Sequence, residues 1–379
     1  MNSQNYEKAV KYFEKAIAKD KLSVEYIQNQ GYCYMKLRRW EEAITSFTRV
    51  ILQKPTQKVA YNNRGYCRGN LRQYDLALQD FASAIDLDQQ FWAVYLNRGT
   101  LYKEMGHFDD ALDDFNRVIR HDSSLFKAWN ARGTVYLVSK NYAMALSDFE
   151  QSAKINPNYA TAYHNIALVY KQKGLFLEAV NFIQKAIQLE PKEPEHYNLR
   201  GLVKQEQKQY LSAHEDFETA ILLAHRNAIF YNNRGLNWYF RTNYFAALAD
   251  FSMAISIDNK LVRAYINQGD CYTELLDYLT AKRCYEKAIQ LQPAIGLAYS
   301  KLGIILFYLK KYPDALQNLE KGVSLAPADF FSYKSRALYY FGLNNVTMGC
   351  QDAQQARELC PTDDSNLKDW LSKYCVKKK

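Results

Sequence analysis

Long hydrophobic runs are missing from these 379 residues. No stretch approaches the roughly 18 apolar residues that a membrane-spanning helix needs, and the opening MNSQNYEKAVKYFEKAI has no apolar core of the secretory kind. A cytoplasmic chain with no membrane partner is the expectation. The six histidines stand singly, and the seven cysteines, Cys33, Cys67, Cys271, Cys284, Cys350, Cys360 and Cys375, contain no C-x-x-C pair. Neither a metal site nor a disulfide is expected from such spacing. An odd number of thiols, most of them inside helical pattern, suits a reducing compartment, and Cys33, Cys67 and Cys271 share one repeat position and read as core. Glycine-rich phosphate loops and nucleophile motifs are absent too, so neither catalysis nor a cofactor is expected. The net charge of +9 is spread thinly, and only the terminal VKKK concentrates it. No nucleic-acid partner is expected on that distribution.

A period is what the chain does have. Glycine recurs every 34 residues as Gly31, Gly65, Gly99, Gly133, Gly201, Gly235, Gly269 and Gly303, with Ala167 and Ala337 filling the two remaining slots. Twelve residues after each slot stands a small residue, Ala43 through Ala315 and then Gly349, as two closely approaching helices require. Four residues before the slot is a large residue, tyrosine in eight repeats, Trp129 in one and Ile27 in the first. A second large residue, from Trp40 to Val346, stands nine residues after it. Apolar residues at i, i+3, i+4 and i+7 flank a short polar turn, and Pro55, Pro157, Pro191, Pro293, Pro327 and Pro361 follow the second apolar segment. Each period therefore reads as a helical hairpin.

These slots resemble the 34-residue signature of the tetratricopeptide repeat family, in register from Val24 to Asp363. The resemblance implies an all-α fold, a right-handed superhelical α-solenoid of stacked antiparallel helix hairpins. Residues 1–23 then form a half repeat with the second helix only, 24–363 ten repeats in one solenoid, 364–376 a capping helix and 377–379 a basic tail. The half repeat begins mid-motif, so either more chain precedes it or it caps the stack, and self-association through it stays open. In the cap, Leu367, Trp370, Leu371 and Tyr374 share one helical stripe behind Asp363 and Asp364.

The residue before the glycine slot is Arg64, Arg98, Arg132, Arg200, Arg234 and Arg336 in six repeats. Sixteen residues later the same six carry Asp80, Asp114, Asp148, Asp216, Asp250 and Asp352, and the other four carry none. Pairing with the following repeat breaks the agreement, which predicts a bidentate ion pair inside each of these hairpins rather than a grip on an acidic ligand.

In the family the first helices line a concave groove, and the resemblance assigns to it the positions two and three before the slot and one, four and five after. Asn29, Asn63, Asn97, Asn165, Asn233 and Asn267 occupy the second-before position, with Asn62, Asn130, Asn198 and Asn232 beside it. This array resembles the asparagine ladder of O-GlcNAc transferases, where amides can hold a peptide backbone; bonding to neighbouring repeats is the alternative. Toward the carboxyl end the face becomes Leu236, Tyr239, Phe240, Ile304, Phe307, Tyr308, Leu338 and Phe341. Such an apolar wall suits a partner's hydrophobic anchor, unless curvature or the cap buries it. Arg38, Arg39, Arg72, Lys140, Lys173, Lys208, Arg241, Lys310 and Lys311 mark the turns as a basic edge. The chaperone-tail clamp of some relatives needs asparagine after the slot, where this chain has none. The expected function is a non-catalytic protein–protein interaction scaffold holding an extended peptide or amphipathic helix. The alternative is the substrate-recruiting arm of a larger enzyme or complex.

Overall fold

The computed structural model describes residues 3–360 and 364–375. Pro361, Asp363 and the basic tail lie outside the described residues. A single helix, Ser3–Lys19, precedes ten helical hairpins, from Val24–Lys36 with Trp40–Gln53 to Phe330–Gly342 with Val346–Leu359. A short helix, Ser365–Trp370, and a π-helical turn, Leu371–Cys375, follow. The chain divides into two compact units, Met1–Pro191 and Lys192–Lys379. Each is an α-solenoid stack in which consecutive hairpins pack on one another.

One hairpin shows why the sequence folds this way. Phe126–Val138 runs into a three-residue turn and returns as Tyr142–Ile155. Lys140 takes the left-handed conformation, φ 59°. Its N–H reaches Leu137 O at 3.0 Å and the N–H of Asn141 reaches Tyr136 O at 2.8 Å, closing the helix end. Asn141 then caps the second helix by accepting from the Met144 N–H at 3.3 Å. All ten turns place their left-handed residue seven positions after the glycine slot. Eight are not glycine, at φ 57–60°, and only Gly106 and Gly174 relieve the strain. At roughly 1 kcal/mol each, these positions persist because the paired turn bonds and the packed helices on either side determine them.

Between the two helices, Ala145 and Phe149 are fully buried. A Cβ on Gly133 would lie 2.6 Å from the Phe149 ring, so the glycine is there to let that ring lie on the first helix. The same slot, sixteen after the glycine, holds Phe47, Phe81, Phe115, Phe217 and Phe251, each 1% exposed or less. Burying one such ring contributes about 2–3 kcal/mol.

Ion pairs lie beside all of these rings except Phe47, and a sixth beside Ala353. Arg64, Arg98, Arg132, Arg200, Arg234 and Arg336 come within 2.5–2.8 Å of Asp80, Asp114, Asp148, Asp216, Asp250 and Asp352 respectively, always within one hairpin. In the Arg98 pair, Nε donates to Asp114 Oδ2 and Nη2 to Oδ1, both at 2.8 Å. Every one of these guanidiniums also lies over the ring three residues before it, as Arg132 over Trp129 at 4.9 Å. Some reach further: Arg64 Nη1 donates to Thr48 Oγ1 at 3.1 Å, Arg132 Nη1 donates to Asn116 Oδ1 at 2.6 Å, and Arg234 Nη1 lies 4.0 Å from Glu218 Oε1, each in the preceding hairpin.

Both ends of the chain add apolar cover. Val10 and Ile17 of the first helix join the core of the Gly31 hairpin. In the second unit Leu367, 1% exposed, packs with Ala337, Ala353 and Ala356, while Asp364 caps its short helix and pairs with Lys334 at 2.6 Å. A disulfide, Cys350–Cys375, ties this segment to the last hairpin, which corrects the expectation of none. The spacing gave no hint, because Cys375 lies outside the repeat and folds back 25 residues onto Cys350, and an odd count does not exclude one bridge. Cys33, Cys67, Cys271 and Cys284 are buried thiols; burial pushes Cys67 and Cys271 up to about 12.

The Arg98–Asp114 pair tests the ion-pair account most cleanly, since Arg98 has no second acceptor among the described residues. Arg98→Leu leaves a buried carboxylate and should destabilise by about 3 kcal/mol. Arg98→Leu with Asp114→Leu should recover much of it. Denaturation midpoints are the readout, and additive losses would contradict the contact.

Candidate partner-binding site

The asparagines of the first helices bond mainly to one another. Asn97 Nδ2 donates to Asn62 Oδ1 at 2.9 Å, and Asn62 Nδ2 to Asn63 Oδ1 at 3.2 Å. Asn165 donates to Asn130 at 2.9 Å. In the second unit the chain runs Asn267 to Asn232 at 2.9 Å, Asn232 to Asn233 at 3.4 Å and Asn233 to Asn198 at 2.8 Å. Asn97, Asn165, Asn233 and Asn267 thus each reach from two before the slot back to the amide three before the slot of the preceding hairpin, so the array joins neighbouring first helices, while Asn63 only accepts from Asn62. It does not use the amides fully. The Oδ1 atoms of Asn97, Asn165 and Asn267 accept no hydrogen bond among the described residues, and Asn29 is exposed and makes none.

The apolar wall of the second unit is divided between packing and surface. Phe307 lies 5.8 Å from Tyr339, leaves no room for a side chain at Gly342 and packs on the core. Phe341 is covered by the carboxyl-terminal segment, with Trp370 at 5.8 Å and Tyr374 stacked at 4.8 Å. Leu236 packs beside the Phe251 core, and Leu338 is half-buried. Two rings keep open faces. Phe240, 46% exposed, stacks on Tyr210, and Tyr308, 42% exposed, stacks on Tyr278. In the first unit Tyr32 and Tyr66 are similarly exposed. Of the basic turn residues, Arg39 is tied to Glu42 and Glu7 and Arg241 lies 4.4 Å over Trp238. Arg38 lines a pocket with Lys36, Trp40, Asn63 and Asn97.

A pocket of about 250 Å³ with a mixed polar and apolar lining opens on the same face of the second unit, lined by Tyr239, Asp270, Thr273, Glu274, Tyr285, Lys301, Ile304 and Phe331 among others. Tyr285 donates its hydroxyl to Asp270 Oδ1 at 2.7 Å, and Lys301 Nζ stands 2.8 Å from the same oxygen. Tyr239 and Tyr244 direct their hydroxyls at Glu274, at 3.3 and 3.5 Å. Burial, then the neighbouring Glu274 and Asp270 charges, raises the Tyr239 phenol well above its ordinary value, so it stays a donor. Sequence reasoning placed Tyr239 on this face but passed over Asp270, Glu274, Tyr285 and Lys301. Asp270, Tyr285 and Lys301 depart from the chain's own slot rules, which is where the signal lay.

Models of the tetratricopeptide repeat match residues 1–58, 59–91, 92–125, 126–159, 160–193 and 262–295, more than half of the chain. The chain belongs to the tetratricopeptide repeat family. A tetratricopeptide repeat protein from Parabacteroides merdae has a similar structure, with a TM-score of 0.54 at 21% identity over 65% of this chain and 97% of that one. YrrB, described as a tetratricopeptide protein with an unusual peptide-binding site, gives a TM-score of 0.37 at 21% identity over 48% of this chain and 95% of its own. No curated protein matches the chain. A tetratricopeptide stack is a protein-interaction scaffold, and this chain has that architecture. No helix among the described residues is long and apolar enough to cross a membrane.

The amide array separates two kinds of asparagine. Asn232→Ala removes the acceptor of Asn267 at a buried position and should destabilise by about 1–2 kcal/mol. Asn29→Ala, at an exposed position without a bond, should stay within about 0.5 kcal/mol of the parent. Denaturation midpoints compare them, and equal effects would contradict the pairing.

Proposed function

We propose that this tetratricopeptide stack is a non-catalytic scaffold that holds an extended peptide or amphipathic helix of a partner protein against the face made by its first helices. The observation that carries the reading is the unused capacity of that face. Ladder amides such as Asn97, Asn165 and Asn267 keep Oδ1 acceptors without a partner among the described residues, and Phe240 and Tyr308 keep exposed ring faces after stacking. Backbone N–H groups suit the first and apolar side chains the second, which is the division of labour in peptide recognition. We place the chain in the cytoplasm on its four buried thiols; in that compartment the Cys350–Cys375 bridge would be open.

Phe240→Ala with Tyr308→Ala tests the reading while keeping the rings Phe307 and Phe341 in place. Peptides selected from a random library on the parent chain should lose at least about tenfold in affinity on the double variant, because exposed aromatic anchors carry much of such binding. Calorimetry at two salt concentrations should show little change with salt. Unchanged affinity would exclude these rings, and affinity that collapses with salt would move the site to the basic turns.

A further inference from the structure

Three slots depart together, around one point, from what the other hairpins carry there. The slot sixteen after the glycine carries phenylalanine in six hairpins and Ile183, Leu319 or Ala353 in three, and only here a hydroxyl, Tyr285. The slot after the glycine carries a charge only at Asp270, and the slot two before it only at Lys301. Packing alone is met by phenylalanine, as the other hairpins show. The added hydroxyl, on a side chain 2% exposed, points out of the core to Asp270, and Lys301 comes from the next hairpin to the same carboxylate.

That arrangement leaves one charge without its opposite. Lys301 neutralises Asp270, and its ammonium also sits 4.9 Å from the Phe331 ring. Among the described residues Glu274 receives two phenolic hydroxyls and no cation. The pocket therefore carries a net negative charge, is lined by oxygen acceptors, and has Ile304 and the Tyr239 ring as an apolar wall. An alkyl stem ending in a cation matches all three properties: the stem covers the wall and the N–H donors meet Glu274 and the phenol oxygens. An anionic group would face Glu274 unscreened, and a purely apolar one would strip water from a carboxylate without replacing it.

We infer that this pocket of the second unit takes a lysine or arginine side chain of the bound partner segment. The inference rests on the scaffold reading and adds the chemistry of one anchor. The test is selection from a bead library of N-acetylated, C-amidated random dodecapeptides on the full chain, the acetyl group removing the terminal amine as a rival cation. The expected result is enrichment of lysine or arginine at one position. The enriched peptide should bind Glu274→Gln and Tyr285→Phe about tenfold more weakly, as loss of a charge-assisted contact implies. Glu274→Lys should in turn prefer the peptide whose basic residue is replaced by glutamate. Peptides that enrich without a basic position, or whose basic residue is indifferent to Glu274→Gln, overturn the pocket and leave the scaffold standing. No enrichment at all overturns both. Because Glu274 is exposed and the glutamine is isosteric, a folding defect does not confound the first variant.

Discussion

An aromatic ring packed directly against a glycine is the contact on which the rest of the structure depends. Two helices cannot come close enough to enclose Phe149 unless residue 133 has no side chain, and the ring is too large for the helices to close further. That spacing brings the alanine twelve residues after the slot into full burial and sets the arginine before the slot within reach of its aspartate. Wherever the slot is not glycine the ring is gone too, although Leu319 also stands in for the ring opposite Gly303. Where the slot is Ala167 the ring is replaced by Ile183, and where it is Ala337 by Ala353. Close packing explains the linkage, since a methyl added against a ring forces one of them to move.

Apolar contact sets distance but not identity, and two polar systems add the direction. The arginine–aspartate forks join the helices inside a hairpin, and the asparagine amides join the first helices of neighbouring hairpins. Neither system is a large net source of stability, because desolvation offsets much of the attraction. Their effect is to make a slipped hairpin expensive, leaving carboxylates and amides unpaired in a low-dielectric layer. Asp80 and Asp216 have even gathered a second cation, Arg68 and Lys204, each at 2.8 Å.

How much of this was legible in the sequence depends on whether the repeat speaks to the question. The hairpins, the family and the arginine–aspartate linkage are statements about slots, and ten copies of each slot made them readable. The left-handed turn position was harder, because only Gly106 and Gly174 announce it and Arg38 or Lys140 read as surface charge. The Cys350–Cys375 bridge and the cover over Phe341 were out of reach, since both come from a segment after the last repeat. Asn62 and Asn97 read equally well as ligand contacts or as neighbours, and only geometry shows that part of each amide is already engaged. Asp270, Tyr285 and Lys301 were visible as exceptions, but exceptions gain meaning only when they are known to touch.

The most direct measurement is the denaturation midpoint of Gly133→Ala alone and together with Phe149→Ile. If the ring on the glycine sets the helix spacing, the single substitution overpacks the hairpin and lowers stability by about 1–3 kcal/mol. Adding Phe149→Ile should recover part of that loss by reproducing the pairing of Ala167 with Ile183. A neutral single variant, or a double variant that loses as much as the two changes summed, would contradict the account.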